Sequence, residues 1–218
     1  KDSMKNDYTG GGERISIPPT VLFSVLGVIR NVTATQTSDF KKAGDYIYLM
    51  GGTWNEMAGS EAADELGLKV GTEVCLPEHA VPHVDAASAM ARYRAVSALM
   101  GQRAISACHD CSDGGLAVAL AEMCIGGRLG AELDLDAVHA MQCMNTTELL
   151  YSESASRLLV SVKPELAMIF DAFGQWQLCS RVGVVTADSR LTIKSGDSVI
   201  ANEDVEDLAR AFKVTLDW

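Results

Sequence analysis

The residues best suited to chemistry lie together in one short stretch, His-Asp-Cys-Ser-Asp-Gly-Gly-Leu. Asp110 offers a carboxylate, and Mg²⁺ is often held by one or two carboxylates together with phosphate oxygens. Ser112 or Asp113 can cap a following helix through a side-chain oxygen. Gly114 and Gly115 remove side chains from the start of that helix, so another group can approach its backbone closely. These residues predict a site for Mg²⁺ and a phosphate group.

The residues on either side of this stretch indicate a strand–turn–helix junction. Residues 104–107 predict a short buried strand, and residues 116–123 carry apolar side chains at helical spacing. A helix start offers N–H groups and a positive dipole end, and ligands of open α/β sheets tend to bind beyond the carboxyl ends of strands. The alternative is a capped helix with two packing glycines and a solvated Asp110. The residues themselves leave both interpretations open.

A second loop of interest covers residues 51–61, after a strand predicted at 45–50. Its small residues and its glutamate could bring the backbone close to a ligand. The alternative is a plain strand-to-helix connection in which Ser60 caps the helix that follows.

The composition restricts the classes of function. The chain has 218 residues and a net charge of −11, which suit one large domain, or a domain with an appendage, and argue against nucleic-acid binding. We expect neither a signal peptide nor a membrane partner, because no apolar run reaches the roughly 18 residues of a membrane span. Six scattered cysteines favour a reducing, cytoplasmic setting. Cys108 and Cys111 form a C-x-x-C pair, but without a second pair we expect neither zinc binding nor redox use.

Strands and helices intermix along the chain and predict an α/β fold, with a mixed β-sheet packed against helices. Residues 1–14 are polar, contain three consecutive glycines and predict an irregular segment. Residues 15–32 are rich in β-branched side chains and predict a buried strand. Residues 86–100 predict a helix capped by Asp85, and residues 181–194 predict a β-hairpin.

Four motifs occur in an order and at a spacing that resemble one enzyme family. They are Lys-Asp-Ser-Met at residues 1–4, Ile-Pro-Pro-Thr at 17–20, Gly-Thr-x-x-Glu-Met-x-Gly-Ser at 52–60 and His-Asp-x-Ser-Asp-Gly-Gly-Leu at 109–116. The family is phosphoribosylformylglycinamidine synthase, which catalyses the fourth step of purine biosynthesis. Its C-terminal half is built like the C-terminal domain of aminoimidazole ribonucleotide synthetase.

The resemblance implies a role for several of these residues. Asp110 matches a family residue that binds Mg²⁺, and Ser112 matches one that contacts a nucleotide. Ser3 matches a serine that contacts the substrate. The residues expected to bind ATP or ADP are Ser112, Asp113, Gly114 and Gly115.

Two departures from the family pattern affect the contacts that the resemblance implies. Lys1 stands where the smaller family members have an asparagine that binds Mg²⁺. Ala155 replaces the glutamine of a Glu-Ser-Gln motif, which weakens the case for a substrate contact there. Near Ala155, Glu153 and Arg157 are four residues apart, the spacing of an ion pair on a helix.

The resemblance also implies the domain organisation and the partners. Residues 1–14 would form a flexible segment of the preceding domain or linker, and residues 15–218 a synthetase C-terminal-like domain. The full-length enzyme would use ATP, Mg²⁺ and ammonia from a glutamine amidotransferase domain or subunit to convert formylglycinamide ribonucleotide to the amidine. This chain would supply a Mg-nucleotide site and an interface to the missing N-terminal synthetase domains.

We expect the isolated chain to be inactive, because no glutaminase nucleophile with a partner base is found in it. Two other classes of function stay open. One is a non-catalytic module that binds a nucleotide or a partner domain. The other is a relative such as aminoimidazole ribonucleotide synthetase or selenophosphate synthetase.

Overall fold

The computed structural model describes residues 2–4, 7–8, 11, 15–16, 20–29, 31–67, 69–70, 75–76, 81–138, 140–141 and 143–214. The chain divides into two compact units, Lys1–Thr33 and Ala34–Trp218. The domain boundary predicted between residues 14 and 15 stays a prediction. None of the helices formed by the described residues is long and apolar enough to span a bilayer.

The first unit contains short antiparallel strand pairs. Its strands are β1 (Asp2–Met4), β2 (Asp7–Tyr8), β3 (Ile15–Ser16) and β4 (Thr20–Leu22). β1 pairs with β4, and β2 pairs with β3. The prediction of an irregular segment over residues 1–14 was therefore wrong for β1 and β2, because strand pairing uses backbone groups that a polar sequence also supplies.

The predicted buried strand over residues 15–32 was also wrong. Of the residues described in this range, those of β3 and β4 form strands, and residues 23–29 have no regular structure. No described strand pairs with residues 23–29, so the β-branched pattern lacks the hydrogen-bonding neighbour that a strand requires. The apolar side chains of this stretch are largely exposed: Phe23, Val25, Leu26, Val28 and Ile29.

The second unit is built on a mixed sheet with helices, which confirms the predicted α/β class. Its strands are β5 (Tyr46–Met50), β6 (Lys69–Val70), β7 (Cys75–Leu76), β8 (Ala107–Asp110), β9 (Gly130–Asp134), β10 (Leu158–Val162), β11 (Cys179–Thr186), β12 (Arg190–Ser195) and β13 (Ser198–Asp204). Its α-helices are α1 (Glu61–Glu65), α2 (Ala86–Gly101), α3 (Gly115–Gly127), α4 (Thr146–Tyr151), α5 (Ala167–Gln177) and α6 (Val205–Val214).

Seven of these strands form one sheet in the order β13-β12-β9-β11-β5-β10-β8, and β6 pairs with β7 separately. Every neighbouring pair in the large sheet is antiparallel except β12 with β9, which is parallel. The predicted hairpin between β11 and β12 was therefore wrong, because β9 lies between them. β12 instead turns back to pair with β13, and a local sequence pattern cannot show that a distant strand will insert.

The core lies on both faces of this sheet. In β5, Ile47 and Leu49 belong to one apolar cluster, and Tyr48 and Met50 belong to another. The first cluster includes apolar residues of α3, and the second includes residues of α2 and α5. Alternate side chains of a strand point to opposite faces, so helices cover the sheet on both sides.

The structure confirms two helix caps that the sequence indicated. The carboxylate of Asp85 accepts hydrogen bonds from the N–H groups of Ala87 and Ser88, at 3.0 and 3.3 Å, and confirms the predicted start of α2. The Ser60 hydroxyl accepts from Ala63 N–H at 3.1 Å and caps α1 as predicted. The strand before the central motif is displaced from the predicted residues 104–107 to β8, so Asp110 is itself the last residue of a strand.

Three loops meet at one end of the sheet because of its register. Leu158, the first residue of β10, is paired with Met50 on one side and with Asp110 on the other. The loops at residues 51–60, 111–114 and 152–157 therefore start or finish side by side. This register brings the central motif next to loops that are far from it in the sequence.

A buried arginine joins two of these loops. Arg157 is 1% exposed, and its Nε donates to the Ser154 carbonyl oxygen at 3.2 Å. Its Nη1 donates to Thr53 Oγ1 at 3.1 Å, and its Nη2 donates to the Ser152 carbonyl oxygen. Burial lowers the pKa of the Arg157 guanidinium, and among the described residues no carboxylate lies within ion-pair distance of it.

We predict that Arg157→Met lowers the free energy of unfolding by about 3 kcal/mol, since it leaves buried acceptors in both loops without a donor. Arg94→Met on the exposed side of α2 is the matched control and is expected to change it by less than about 0.5 kcal/mol. Urea denaturation followed by circular dichroism measures both. Equal unfolding free energies for the two variants would contradict the role given to the Arg157 guanidinium.

Candidate functional site

Asp110 is placed as a metal ligand would need to be, at the end of β8 with a largely exposed side chain. Its carboxylate accepts a hydrogen bond from the Ser112 hydroxyl. That hydrogen bond is the largest effect holding the pKa of the Asp110 carboxyl below its ordinary value. Asp110 is therefore ionised at neutral pH, as a ligand for a hard cation must be.

A histidine links Asp110 to the helix that follows. His109 Nε2 lies 2.7 Å from Oε2 of Glu122 on α3, and His109 Nδ1 lies 3.3 Å from Oδ1 of Asp110. The imidazole thus lies between two carboxylates, one of which is the candidate metal ligand. The sequence analysis did not single out Glu122, although its place thirteen residues after His109, on a helix that packs under β8, could have indicated the contact.

The start of α3 is capped differently from the prediction. Neither Ser112 nor Asp113 caps it: the N-cap residue is Gly114, in a left-handed conformation with φ of +76°, and it has no side-chain cap. Instead Gly114 N–H donates to Oε1 of Glu153 at 2.9 Å. The Ser112 side chain is instead directed to Asp110, to whose carboxylate its hydroxyl donates.

Glu153 serves a second helix as well. The same Oε1 accepts a hydrogen bond from the N–H of Glu61, the first residue of α1, at 3.2 Å. A carboxylate at a helix start is stabilised by the N–H groups and by the helix dipole, so Glu153 joins α1 and α3 electrostatically. The predicted helical ion pair of Glu153 with Arg157 was wrong, because both residues lie in a loop and no such ion pair occurs among the described residues.

The two glycines at this helix start have packing roles. Gly115 has a φ of +64°, and a Cβ added there would lie 2.5 Å from the Ser152 carbonyl oxygen. A Cβ added at Gly114 would lie 2.3 Å from a methyl carbon of Val118. The group that approaches the backbone of Gly115 is therefore the chain's own loop, which favours the packing interpretation of that residue. The nucleotide contacts expected for Gly114 and Gly115 stay predictions.

A cavity of about 400 Å³ opens beside Asp110. It brings together three of the residues predicted for the site with residues of the 152–157 loop and α2. The polar residues that line it include Tyr93, Asp110, Ser112, Asp113, Glu153 and Arg157. Ser3 lies in β1 of the other unit, opposite Val21, and its expected substrate contact also stays a prediction.

The two cysteines of the motif are poor candidates for chemistry at neutral pH. Burial raises the pKa of both the Cys108 and the Cys111 thiol to about 11, so few of them are thiolates. Within the part of the chain that the structure describes, no group of three or more His, Cys, Asp or Glu side chains is arranged to hold a metal ion.

The 51–60 loop mainly supports the 152–157 loop. Its Thr53 hydroxyl accepts from Arg157, and Trp54 N–H donates to Ser154 Oγ at 2.9 Å. Glu153 N–H in turn donates to the Glu56 carbonyl oxygen at 3.1 Å. This pattern matches a packed connection, with Ser60 as its cap.

We predict that Gly115→Ala destabilises the fold by about 3 kcal/mol, because it combines a left-handed backbone with a collision against the Ser152 carbonyl. Gly59→Ala is the matched control, since Gly59 has a φ of +78° and nothing within 4 Å of an added Cβ. The control isolates the backbone strain and is expected to cost about 1 kcal/mol. Thermal unfolding compares the two variants, and equal losses would show that the Ser152 loop yields to a methyl group.

The chain was compared with known proteins. Residues 42–196 match the family described as AIR synthase related protein, C-terminal domain. Phosphoribosylformylglycinamidine synthase subunit PurL of Methanobrevibacter smithii is 34% identical over 156 residues, which are 70% of this chain and 21% of that protein.

Solved structures share the fold. T. maritima PurL complexed with FGAR has a TM-score of 0.69 at 21% identity. The aligned region covers 82% of this chain and 30% of the PurL chain. Hydrogenase maturation protein HypE in complex with ATP has a TM-score of 0.53 at 16% identity, over 82% of this chain and 56% of that one. This chain thus spans less than a third of the PurL proteins that it matches. The family match extends over well over half of the residues, and the chain therefore belongs to the AIR synthase related proteins and contains their C-terminal domain.

Proposed function

We propose that this chain is the C-terminal synthetase domain of a phosphoribosylformylglycinamidine synthase, the ATP- and glutamine-dependent ligase of purine biosynthesis. The relative at 34% identity supports this assignment, because it is a subunit of that enzyme. In the whole protein the domain contributes a Mg-nucleotide site and an interface to other domains, and the isolated chain is inactive.

The observation that carries the proposal is the Asp110–Ser112 pair at the edge of the 400 Å³ cavity. An ionised and largely exposed carboxylate at a strand end fits a Mg²⁺ ligand. Since the described residues hold no three-residue metal cluster, the remaining ligands would be phosphate oxygens, water or groups elsewhere in the full protein. Structures of T. maritima PurL with ATP and with ADP support a nucleotide as the phosphate source.

The roles of the chain's own residues follow from this arrangement. Asp110 holds the Mg²⁺, which neutralises charge on the phosphates when it is bound. Ser112 fixes the orientation of the Asp110 carboxylate and contacts the nucleotide, and Asp113 lines the same cavity. Because Glu153 occupies the Gly114 N–H, we assign the phosphate to the Asp110 side of the motif, with Gly114 and Gly115 shaping the backbone behind it.

The partners proposed are the missing N-terminal synthetase domains, a glutamine amidotransferase domain or subunit and the substrate formylglycinamide ribonucleotide, with Ser3 as a substrate contact. The exposed apolar residues at 23–29 support contact with another domain, since such a stretch is rarely left in water. The T. maritima PurL complex with FGAR and the PurLQS structure support the substrate and the further subunits. The free thiols of the described cysteines support a cytoplasmic setting.

A non-catalytic module that only completes an interface is the second candidate. Two observations favour it: Glu153 already occupies the N–H at the start of α3, and Ala155 replaces an amide side chain. A carboxylate in that place disfavours a phosphate at the same N–H group.

Calorimetric titration of this chain with Mg-ADP tests the proposal. We expect saturable binding that Asp110→Asn weakens about tenfold or more, because the variant lacks a charged ligand for the metal. Ser112→Ala is expected to weaken binding by a smaller factor. Asp197→Asn, in the exposed turn between β12 and β13, is the control and leaves the affinity unchanged.

Two outcomes would oppose the proposal. Equal affinity in Asp110→Asn and the parent chain would remove Asp110 as the metal ligand. No binding by the parent chain, with the fold intact by circular dichroism, would favour the interface module.

A further inference from the structure

A second cavity, of about 270 Å³, lies between the 51–56 loop and the N-terminal half of α2, and it shares Ala155 and Ser156 with the lining of the first cavity. None of the residues Asp110, Ser112 and Asp113 lines the second cavity. The polar and aromatic side chains that line it are those of Trp54, Glu56, His83, Asp85, Ser88 and Arg92, and the Asp85 carboxylate already accepts from N–H groups at the start of α2.

Arg92 is a buried charge with too few partners. Its side chain is on α2, the residue is 6% exposed, and burial lowers the pKa of the guanidinium. Among the described residues it makes one hydrogen bond, from Nη1 to the Ser156 carbonyl oxygen at 2.8 Å, and its Nε has no partner there. No carboxylate lies within ion-pair distance of Arg92 in the described part of the chain. A guanidinium buried in this way is costly unless an anion joins it.

Glu56 shows the complementary deficit. It is also 6% exposed, and its Oε1 accepts from the His83 backbone N–H at 2.8 Å, but its Oε2 has no partner in the part of the chain that the structure describes. Buried polar atoms almost always have a hydrogen-bonding partner, so two exceptions of opposite charge on one cavity call for an explanation. The two side chains do not satisfy each other, although both line the same space.

We propose that this cavity binds a small amphoteric molecule, with a carboxylate or phosphate at Arg92 and an N–H donor at Glu56. Arg92 presents the planar fork that suits an oxyanion, and Glu56 has a free acceptor oxygen. Trp54, which is 44% exposed, gives the cavity an apolar wall against which the middle of such a molecule packs. The inference is independent of the proposed function, because it uses none of the residues of the Mg-nucleotide site.

The test is a titration of the ¹⁵N-labelled chain with ω-amino carboxylates of increasing length, from glycine to 6-aminohexanoate. NMR spectra monitor the titration through the Arg92 Nε–H and Trp54 indole resonances. Acetate, inorganic phosphate and ethylammonium are the single-charge probes. We expect one chain length to give saturable shifts at both resonances, with an affinity about tenfold higher than that of any single-charge probe. A preference for phosphate over acetate would identify the anion as a phosphoryl group.

Variants of Arg92 and Glu56 test which residue binds each end of the amphoteric molecule. Arg92→Gln is expected to abolish the shift of the Trp54 indole, and Glu56→Gln to reduce the affinity to that of acetate. Arg94→Gln, two residues along α2 and exposed, is the control and should bind as the parent chain does. Arg92→Lys keeps the charge without the fork, and is expected to bind the same probe at least about threefold more weakly.

The proposal is overturned if no probe gives a saturable shift at the Arg92 Nε–H of the parent chain up to about 50 mM, a result that would assign the two free atoms to buried water. It is also overturned if the single-charge probes bind as tightly as the amphoteric ones. Because these readings come from the parent chain, they hold even if a variant fails to fold.

Discussion

The buried guanidinium of Arg157 is the interaction on which the site end of the molecule depends. A charged side chain that is 1% exposed must have its donors satisfied inside the protein, and the acceptors it uses belong to two separate loops. Because a planar fork fixes the direction of its hydrogen bonds, Arg157 restricts how the two loops can meet. The Arg157 carbonyl oxygen also accepts from Cys111 N–H at 3.1 Å, which extends the same constraint to the central motif.

The sheet positions the loops at the site end of the molecule, and the loops supply its polar groups. β5 is buried on both faces, so its end at Met50 is a fixed point for the loop that follows. From there outward, the hydrophobic core gives way to backbone carbonyls, hydroxyls and carboxylates that satisfy one another. Asp110 lies at the outer limit of this polar region, held by Ser112 and His109 but open to the cavity. A carboxylate that its neighbours orient and that opens to a cavity is compatible with the Mg²⁺ ligand proposed for Asp110.

Structural features that depend on local contacts could be predicted from the sequence. Asp85 and Ser60 cap their helices within three residues, and such signals can be found in a linear sequence. Prediction from the sequence failed where a distant residue competes for the same role. Glu153 is 39 residues from Gly114, and it accepts from the N–H at the start of α3, where a cap by Ser112 or Asp113 was predicted. In the sheet, β9 separates β11 from β12, which were predicted to pair as a hairpin.

The candidate site itself was predicted in part for the same reason. The motif placed Asp110, Ser112 and Asp113 at a strand end, and the structure brings these three residues to one cavity. The same motif could not indicate that the space above Gly115 is filled by the Ser152 carbonyl, since that depends on the register of β8 with β10. Glycines in a motif reveal a close approach, but not which group approaches.

The position of Glu153 has a consequence for how the chain can vary. One carboxylate oxygen accepts from N–H groups at the starts of both α1 and α3, so a replacement of Glu153 would remove that acceptor from two helix starts in one change, and only α1 would keep a cap, at Ser60. The starts of the two helices therefore depend on one and the same side chain, although about fifty residues separate them. A loop residue in such a place is less free to drift than most of the helical residues that it anchors.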